Sequence, residues 1–304
     1  MIIEKIHGLI AAPFSPMDYN GEINPSIISK YSNKLKTDGI IGVFICGTTG
    51  EGLSLTIQER KVIAEEWVKY QNSKFKVIVH VGSTSIKQSK ELAKHAQKIG
   101  AYATSAIGPL FLKPNNINDL VSFCEEIASE SPDIPFFYYH IPSVSGIDLS
   151  MIDFIKLAKT KIHNFSGIKY THNNFMEMQQ CLKIDNGKWN ILHGLDEILI
   201  AGLSFGINGA VGSTYNYLGV LYNSIVENFK MGNIETARIN QQLSVKVLEK
   251  LIKFKGPIVA GKQIMKLIGL DCGPCRLPLT NLSKNDILKL NEELKLIGFY
   301  KIIE

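Results

Sequence analysis

The sequence has little of what marks membrane and secreted proteins. No stretch approaches the roughly 20 consecutive apolar residues that a membrane-spanning helix needs. Residues 1–8 lack the basic segment, apolar run and small-residue cleavage site of a signal peptide. The five cysteines are an odd number scattered along the chain, which excludes a disulfide framework. We therefore expect a cytoplasmic protein with no membrane partner.

Charge of one sign is also scarce. The net charge is +5 over 304 residues, and no basic block alternates with aromatic residues. Lys87, Lys90 and Lys94 recur at helical spacing and indicate a solvated helix face. Apolar residues make up 45% of the chain, which is ordinary for a globular protein with a large core. We expect no nucleic-acid partner.

Short apolar segments alternate with longer amphipathic ones. Most of the short segments are apolar throughout, as in parallel strands that are covered on both faces. The predicted strands are Gly8–Ala12, Gly42–Cys46, Lys76–Val81, Tyr102–Ile107, Pro135–Tyr139, Ser166–Lys169, Asn190–His193 and Gly209–Gly212. The predicted helices between them are Pro25–Thr37, Thr56–Gln71, Ser83–Ile99, Asn118–Ser129, Leu149–Thr160, Phe175–Leu182 and Glu197–Leu203.

Two helix starts carry recognisable capping signals. Asn24 precedes the first helix, with Pro25 expected in its first turn. Thr56 is followed three residues later by Glu59, which is a capping box.

Eight strand–helix units favour a closed (β/α)8 TIM barrel in the α/β class. An open doubly wound sheet usually has a glycine-rich turn after its first strand, and here the chain runs into Ala-Ala-Pro-Phe-Ser-Pro. The rest of the chain is helical in pattern except around residues 271–279. We predict a barrel core in residues 1–217. The eighth barrel helix and an appended helical bundle then fill residues 218–304.

The predicted strands end in polar or glycine-rich segments, and in such barrels functional groups lie at those ends. Strand two runs into Gly47-Thr48-Thr49-Gly50, where backbone N–H groups and two hydroxyls suit a carboxylate. Strands seven and eight are followed by Asp196-Glu197 and by Ser213-Thr214. The joint placement of these groups indicates a catalytic mouth.

Strand five ends in Tyr139 and strand six in Lys169. A lysine amine can attack a ketone to form an imine, and a tyrosine hydroxyl can carry the protons. Most lysines at strand ends are simply solvated, and Lys169 alone would be interpreted in that way. The polar residues at the neighbouring strand ends favour imine chemistry instead.

The chain resembles the pyruvate-dependent class I aldolases of the dihydrodipicolinate synthase/N-acetylneuraminate lyase family. The similarity spans essentially the whole chain, and five motifs occur in the family's order. They are Gly47-Thr-Thr-Gly-Glu-Gly-Leu-Ser-Leu55, Tyr138-Tyr-His-Ile-Pro142, Gly167-Ile-Lys-Tyr-Thr171, Gly194-Leu-Asp-Glu197 and Gly212-Ser-Thr-Tyr-Asn-Tyr-Leu-Gly219. Within the family, the chain looks closest to the members that cleave N-acetylneuraminate to N-acetylmannosamine and pyruvate.

The resemblance implies a role for each matching residue. Lys169 would form the Schiff base with pyruvate, and Tyr139 would move the proton during carbon–carbon cleavage. Thr48 and Thr49 would hold the pyruvate carboxylate. The rest of the sugar would be received by Thr171, Gly194, Asp196, Glu197 and Ser213. No metal or cofactor is implied, because the protonated imine is the electron sink, and the relatives' homotetramer is the implied assembly.

One position departs from the family pattern. Relatives often have a tyrosine after strand four that joins the proton relay of a neighbouring subunit, and this chain has Phe111 there. Tyr139 would need another partner, for which Thr49 is one candidate. The apolar loop Leu110-Phe111-Leu112 would be exposed in a single subunit.

Other activities on the same scaffold remain open. A dihydrodipicolinate synthase needs a cation for a second carboxylate, usually an arginine after the strand-five proline, and Pro142-Ser-Val-Ser-Gly146 has none. A 2-keto-3-deoxy sugar acid aldolase and a non-catalytic sugar-acid sensor are the further alternatives.

Several reactive residues are expected to take no part in the chemistry. Cys272 and Cys275 have redox-motif spacing but follow a helix instead of opening one. His80, inside an apolar strand, is expected to be a satisfied core histidine. By contrast, His172 and His193 lie at the predicted mouth of the barrel and are secondary candidates for a catalytic role.

Overall fold

The computed structural model describes residues 3–303, and eight parallel strands form a closed barrel within them. The strands are β1 Gly8–Ala11, β2 Gly42–Ile45, β3 Lys76–His80, β4 Ala103–Ile107, β5 Phe136–His140, β6 Phe165–Tyr170, β7 Asn190–His193 and β8 Gly209–Gly212. Each strand pairs with the next, and β1 pairs with β8 to close the barrel. The predicted barrel is confirmed, with each predicted strand end within one residue of the observed one.

Helices cover the outside of the barrel. Within the described residues they are α1 Ile27–Thr37, α2 Ile57–Val68, α3 Ile86–Lys98, α4 Ile117–Ala128, α5 Pro142–Ser145, α6 Met151–Lys161, α7 Phe175–Lys183, α8 Leu199–Ser204, α9 Tyr215–Lys230, α10 Ile234–Lys253, α11 Gly256–Leu267, α12 Lys284–Leu296 and α13 Phe299–Ile302. Helix α9 is the eighth barrel helix, and the expected division after residue 217 falls inside it. The following helices form the appended bundle, and no helix in residues 3–303 is long and apolar enough to cross a membrane.

One of the two predicted caps is present. The Thr56 hydroxyl accepts from the Glu59 backbone N–H at 3.2 Å, and the Glu59 carboxylate accepts from the Thr56 N–H at 2.7 Å. The Asn24 prediction was wrong, because α1 begins at Ile27 and Pro25 lies outside it. The Asn24 side-chain oxygen accepts instead from the Ser26 hydroxyl at 2.6 Å.

Side chains on each strand alternate between the barrel interior and the helix layer. The interior cluster includes Phe44, Phe137, Tyr139 and Leu192, which are all nearly inaccessible to solvent. Tyr138 and Tyr170 belong to the outer cluster that packs against the helices. This alternation decides which strand-tip residues can reach a ligand in the mouth of the barrel.

Candidate active site

A cavity of about 240 Å³ opens at the carboxyl ends of β2, β3 and β5. The barrel contributes Thr48, His80 and Tyr139 to its wall. The C-terminal part of the chain contributes Ile258 and Leu279. Both the barrel and the appended helices therefore shape the pocket.

Lys169 does not itself line this cavity, but it packs against Tyr139, which does, and it faces the barrel interior. It sits directly opposite Tyr139 in the β5–β6 register and is only 5% exposed. Its Nζ atom lies 4.0 Å from the centre of the Tyr139 ring and 4.3 Å from that of Phe44. The strand register thus brings the predicted nucleophile and the predicted proton carrier together in a water-poor site.

A hydroxyl from the loop after β2 approaches the Tyr139 hydroxyl. The Oγ1 atom of Thr48 lies 3.5 Å from the Tyr139 hydroxyl oxygen, at the outer limit of a hydrogen bond. The sequence offers Thr49 as a candidate partner, but the structure brings Thr48 to this position. Thr48 is exposed to the mouth, so its hydroxyl is free to reach a ligand.

The loop after β2 has a strained backbone. Cys46 and Glu51 both have positive φ angles, 56° and 53°, which non-glycine residues adopt at a cost of order 1–3 kcal/mol each. A Cβ atom on Gly52 would lie 1.8 Å from the Cys46 carbonyl oxygen, so only glycine fits there. Such strain persists only where surrounding contacts hold it.

A buried ion pair supplies that support. The Glu51 Oε1 atom lies 2.7 Å from the Lys262 Nζ atom, and both side chains are at most 3% exposed. The approach is too oblique for a well-directed hydrogen bond, so charge attraction carries this contact. The other Glu51 oxygen accepts from the Arg276 N–H at 2.9 Å, and Lys262 donates to the Pro274 carbonyl at 2.7 Å.

Sequence reasoning missed this pair, although a signal was present. Lys262 lies in α11 among buried apolar neighbours, including Ala260, Ile264 and Met265. A lysine in an apolar helical segment is a candidate for burial with a partner. The carboxylate that pairs with it lies on the loop after β2, far away in sequence.

Two of the predicted sugar-binding residues lie in direct contact. A Cβ atom on Gly194 would fall 1.9 Å from the Thr171 Oγ1 atom, so glycine permits this close approach. The Thr171 hydroxyl is buried and has no hydrogen-bond partner within the described residues. A polar atom of this kind needs a partner, and a substrate hydroxyl would provide one.

Asp196, after β7, contacts the chain at the end of β8. One Asp196 oxygen accepts from the backbone N–H and the hydroxyl of Thr214, at 2.8 and 2.7 Å. The other oxygen faces Gly212, where a Cβ atom would come within 2.2 Å. Burial raises the pKa of Asp196 to about 6, against the lowering effect of the Thr214 bonds. Glu197 and Ser213 beside it are half-buried.

The structure shows where two of the remaining histidines, His193 and His80, lie. His193 was expected at the mouth, and that prediction was wrong, because its neighbour Leu192 faces inward. His193 instead packs against Phe175 in the helix layer, with ring centres 6.3 Å apart. His80 is a satisfied core histidine, since one nitrogen accepts from the Ile107 N–H and the other contacts the Cys46 carbonyl.

The cysteine pair lacks the properties of a redox site. Cys272 and Cys275 are both buried, free thiols. Burial raises the pKa of each to about 12, which opposes formation of the reactive thiolate.

Residues 5–297 match the model of the dihydrodipicolinate synthetase family. The chain belongs to this family. It is 40% identical over 298 residues to N-acetylneuraminate lyase of Gallus gallus, covering 97% of both chains. It is 39% identical over 301 residues to the Homo sapiens N-acetylneuraminate lyase, covering 97% of this chain and 94% of that protein.

Solved structures give the same picture. The N-acetylneuraminate lyase (sialic acid aldolase) of Aliivibrio salmonicida superposes with a TM-score of 0.94 at 40% identity, covering 98% of both chains. The N-acetylneuraminate lyase of Proteus mirabilis also superposes with a TM-score of 0.94, at 37% identity, covering 97% of this chain and all of that one.

Proposed function

We propose that this protein is a class I aldolase that cleaves N-acetylneuraminate to N-acetylmannosamine and pyruvate. It is a carbon–carbon lyase, as its full-length relatives at about 40% identity are named. The central structural observation is the buried Lys169 amine, 4.0 Å from the Tyr139 ring at the tips of paired strands.

In this mechanism the amine of Lys169 attacks the keto carbon of the open-chain sugar and water leaves. The protonated imine then accepts the electron pair of the breaking carbon–carbon bond. Tyr139 takes the proton from the sugar hydroxyl that becomes the aldehyde. Reprotonation of the enamine and hydrolysis of the imine release pyruvate and restore the lysine.

Thr48 and Thr49 hold the substrate carboxylate in this proposal. Their loop presents hydroxyl and backbone donors beside Tyr139, as an anion requires. The 3.5 Å approach of Thr48 to Tyr139 also gives the tyrosine a hydroxyl partner, in place of the tyrosine that Phe111 replaces.

The polyhydroxylated end of the sugar is assigned to Thr171, Gly194, Asp196, Glu197 and Ser213. The buried, unpartnered Thr171 hydroxyl is a polar atom that a sugar hydroxyl would satisfy. The second Asp196 oxygen is a further acceptor, because both Thr214 bonds go to the first. Glu197, half-buried beside them, supplies a charged acceptor.

Assembly and location complete the proposal. Phe111 and Leu112 are 84% and 78% exposed, an apolar loop that another subunit would cover. We assign a homotetramer acting in the cytoplasm.

The active-site lysine can be tested by trapping. Borohydride added with pyruvate should inactivate the enzyme and leave a reduced pyruvyl group on Lys169, located by peptide mass spectrometry. Lys169→Ala should lose the adduct and nearly all turnover. Lys169→Arg should do no better, because arginine stays protonated. Lys266→Arg, at an exposed lysine, is the matched control.

The substrate is tested separately by pyruvate release from N-acetylneuraminate. An adduct on Lys169 without pyruvate release would identify a different pyruvate aldolase. An adduct on another residue would refute the assignment of the nucleophile. A dihydrodipicolinate synthase is disfavoured, because the apolar Val144 lies at the cavity where a cation for the second carboxylate would be needed.

A further inference from the structure

Three potential metal ligands meet at the ends of β5 and β6. They are His140, the last residue of β5, His172, two residues beyond β6, and Asp148, in the loop before α6. One donor atom from each lies within 4.8 Å of the other two. The His172 Nε2 atom and an Asp148 oxygen are 3.7 Å apart.

His140 has no hydrogen-bonding role in the described residues. It is fully buried, yet neither ring nitrogen has a hydrogen-bond partner there. His80, which is also buried, has partners for both nitrogens. Buried polar atoms in native proteins are nearly always satisfied, so an unpartnered imidazole calls for a ligand.

The second imidazole lies beside the first. The ring of His172 stands edge-on to that of His140, with centres 5.5 Å apart and planes at 84°. Each ring offers one nitrogen to the same small volume, and the Asp148 carboxylate offers an oxygen.

The donor set selects the kind of ion. Two imidazoles and one carboxylate suit borderline divalent transition metals, Zn²⁺ above all, and not Mg²⁺ or Ca²⁺, which prefer oxygen ligands. Ligand atoms about 2.1 Å from one tetrahedral ion lie about 3.4 Å apart. The 3.7 Å between the His172 nitrogen and the Asp148 oxygen is already close to that spacing. The Asp148 side chain is 75% exposed, so it can move nearer to the two imidazoles.

We propose that His140, His172 and Asp148 form a binding site for one Zn²⁺ ion, or a similar divalent transition-metal ion, per chain on the outer side of the barrel. The site is distinct from the imine chemistry, because Tyr139 and Lys169 face the interior while His140 packs with Tyr170 outside it. The ion would cross-link β5, β6 and the loop before α6 through its three ligands.

The test is metal binding by the intact protein after EDTA treatment and removal of the chelator. Equilibrium dialysis with elemental analysis should find one Zn²⁺ per chain at micromolar free metal. Co²⁺ should give the visible absorption of a tetrahedral nitrogen–oxygen site. His172→Asn and Asp148→Asn should each weaken Zn²⁺ binding at least tenfold. His163→Asn, at an exposed histidine, is the matched control.

Thermal unfolding gives a second readout. Zn²⁺ should raise the melting temperature of the wild type and of His163→Asn, and raise it less in the two ligand variants. These variants alter accessible side chains, so the test does not depend on replacing the buried His140. Absence of binding, or equal binding by wild type and both ligand variants, would overturn the proposal.

Discussion

Breaking the buried pair of Glu51 and Lys262 from one side should destabilise the fold strongly. Both charges are almost fully removed from water, so replacing one of them leaves the other buried without compensation. We expect Lys262→Met to lower the free energy of unfolding by about 3–5 kcal/mol, the usual cost of breaking such a pair from one side. The lost bond to the Pro274 carbonyl is included in this figure.

Helix α11 provides its own control. Lys266 lies one turn further along and pairs with Asp271 at 2.8 Å, but both side chains are more than half exposed. Solvent screens this surface pair, so Lys266→Met should cost about 0–1 kcal/mol. The two lysines differ mainly in burial, and the contrast between them isolates that factor.

A double-mutant cycle completes the test. The unfolding free energies of the wild type, Glu51→Gln, Lys262→Met and the double variant would be measured by equilibrium urea denaturation. The double variant should lose at least about 1 kcal/mol less than the sum of the single losses, because no unpaired charge remains. Additive losses, or equal losses for Lys262→Met and Lys266→Met, would refute this account of the pair.

Three further outcomes are expected. Glu197→Gln should lower kcat/KM for N-acetylneuraminate about 10- to 150-fold, since a charged hydrogen bond contributes about 1.5–3 kcal/mol. It should leave the borohydride-trapped pyruvate adduct intact, and loss of the adduct would place Glu197 in the imine chemistry. Because the pKa of Asp196 is raised to about 6, this group stabilises the fold below pH 4 and loses roughly 3 kcal/mol as pH rises through 6. Asp196→Asn should remove that part of the pH dependence in urea denaturation at pH 4 and 7, and an unchanged profile would contradict it. EDTA and dithiothreitol should leave turnover almost unchanged, because the imine chemistry uses neither a metal ion nor a disulfide; a strong loss with EDTA would indicate a metal ion in catalysis, and a strong loss with dithiothreitol would indicate a functional disulfide.

The barrel and the place of its active site follow from sequence alone. Eight apolar segments separated by amphipathic ones have few other ways to bury their surfaces than a parallel barrel. In a parallel barrel all strand ends of one kind meet at one rim. The positions of Lys169 and Tyr139 at two such ends are therefore enough to place them near each other, and the β5–β6 register pairs them directly.

Only the structure shows whether each residue at a strand end faces the barrel interior or the helix layer. Strands buried on both sides carry apolar residues on both faces, so no polar–apolar alternation identifies the inward side. His193 was misplaced for this reason, and the grouping of His140 with His172 was missed. The choice between Thr48 and Thr49 beside Tyr139 likewise depends on the strained turn after β2.

Contacts between distant parts of the chain were decided only by the tertiary structure. Glu51 lies in a barrel loop and Lys262 in an appended helix, and no local pattern links a carboxylate to an amine so far along the chain. Local propensity and periodicity report on neighbours within a few residues. The pairing of buried charges depends instead on how whole elements pack, because removing both charges from water makes each require the other.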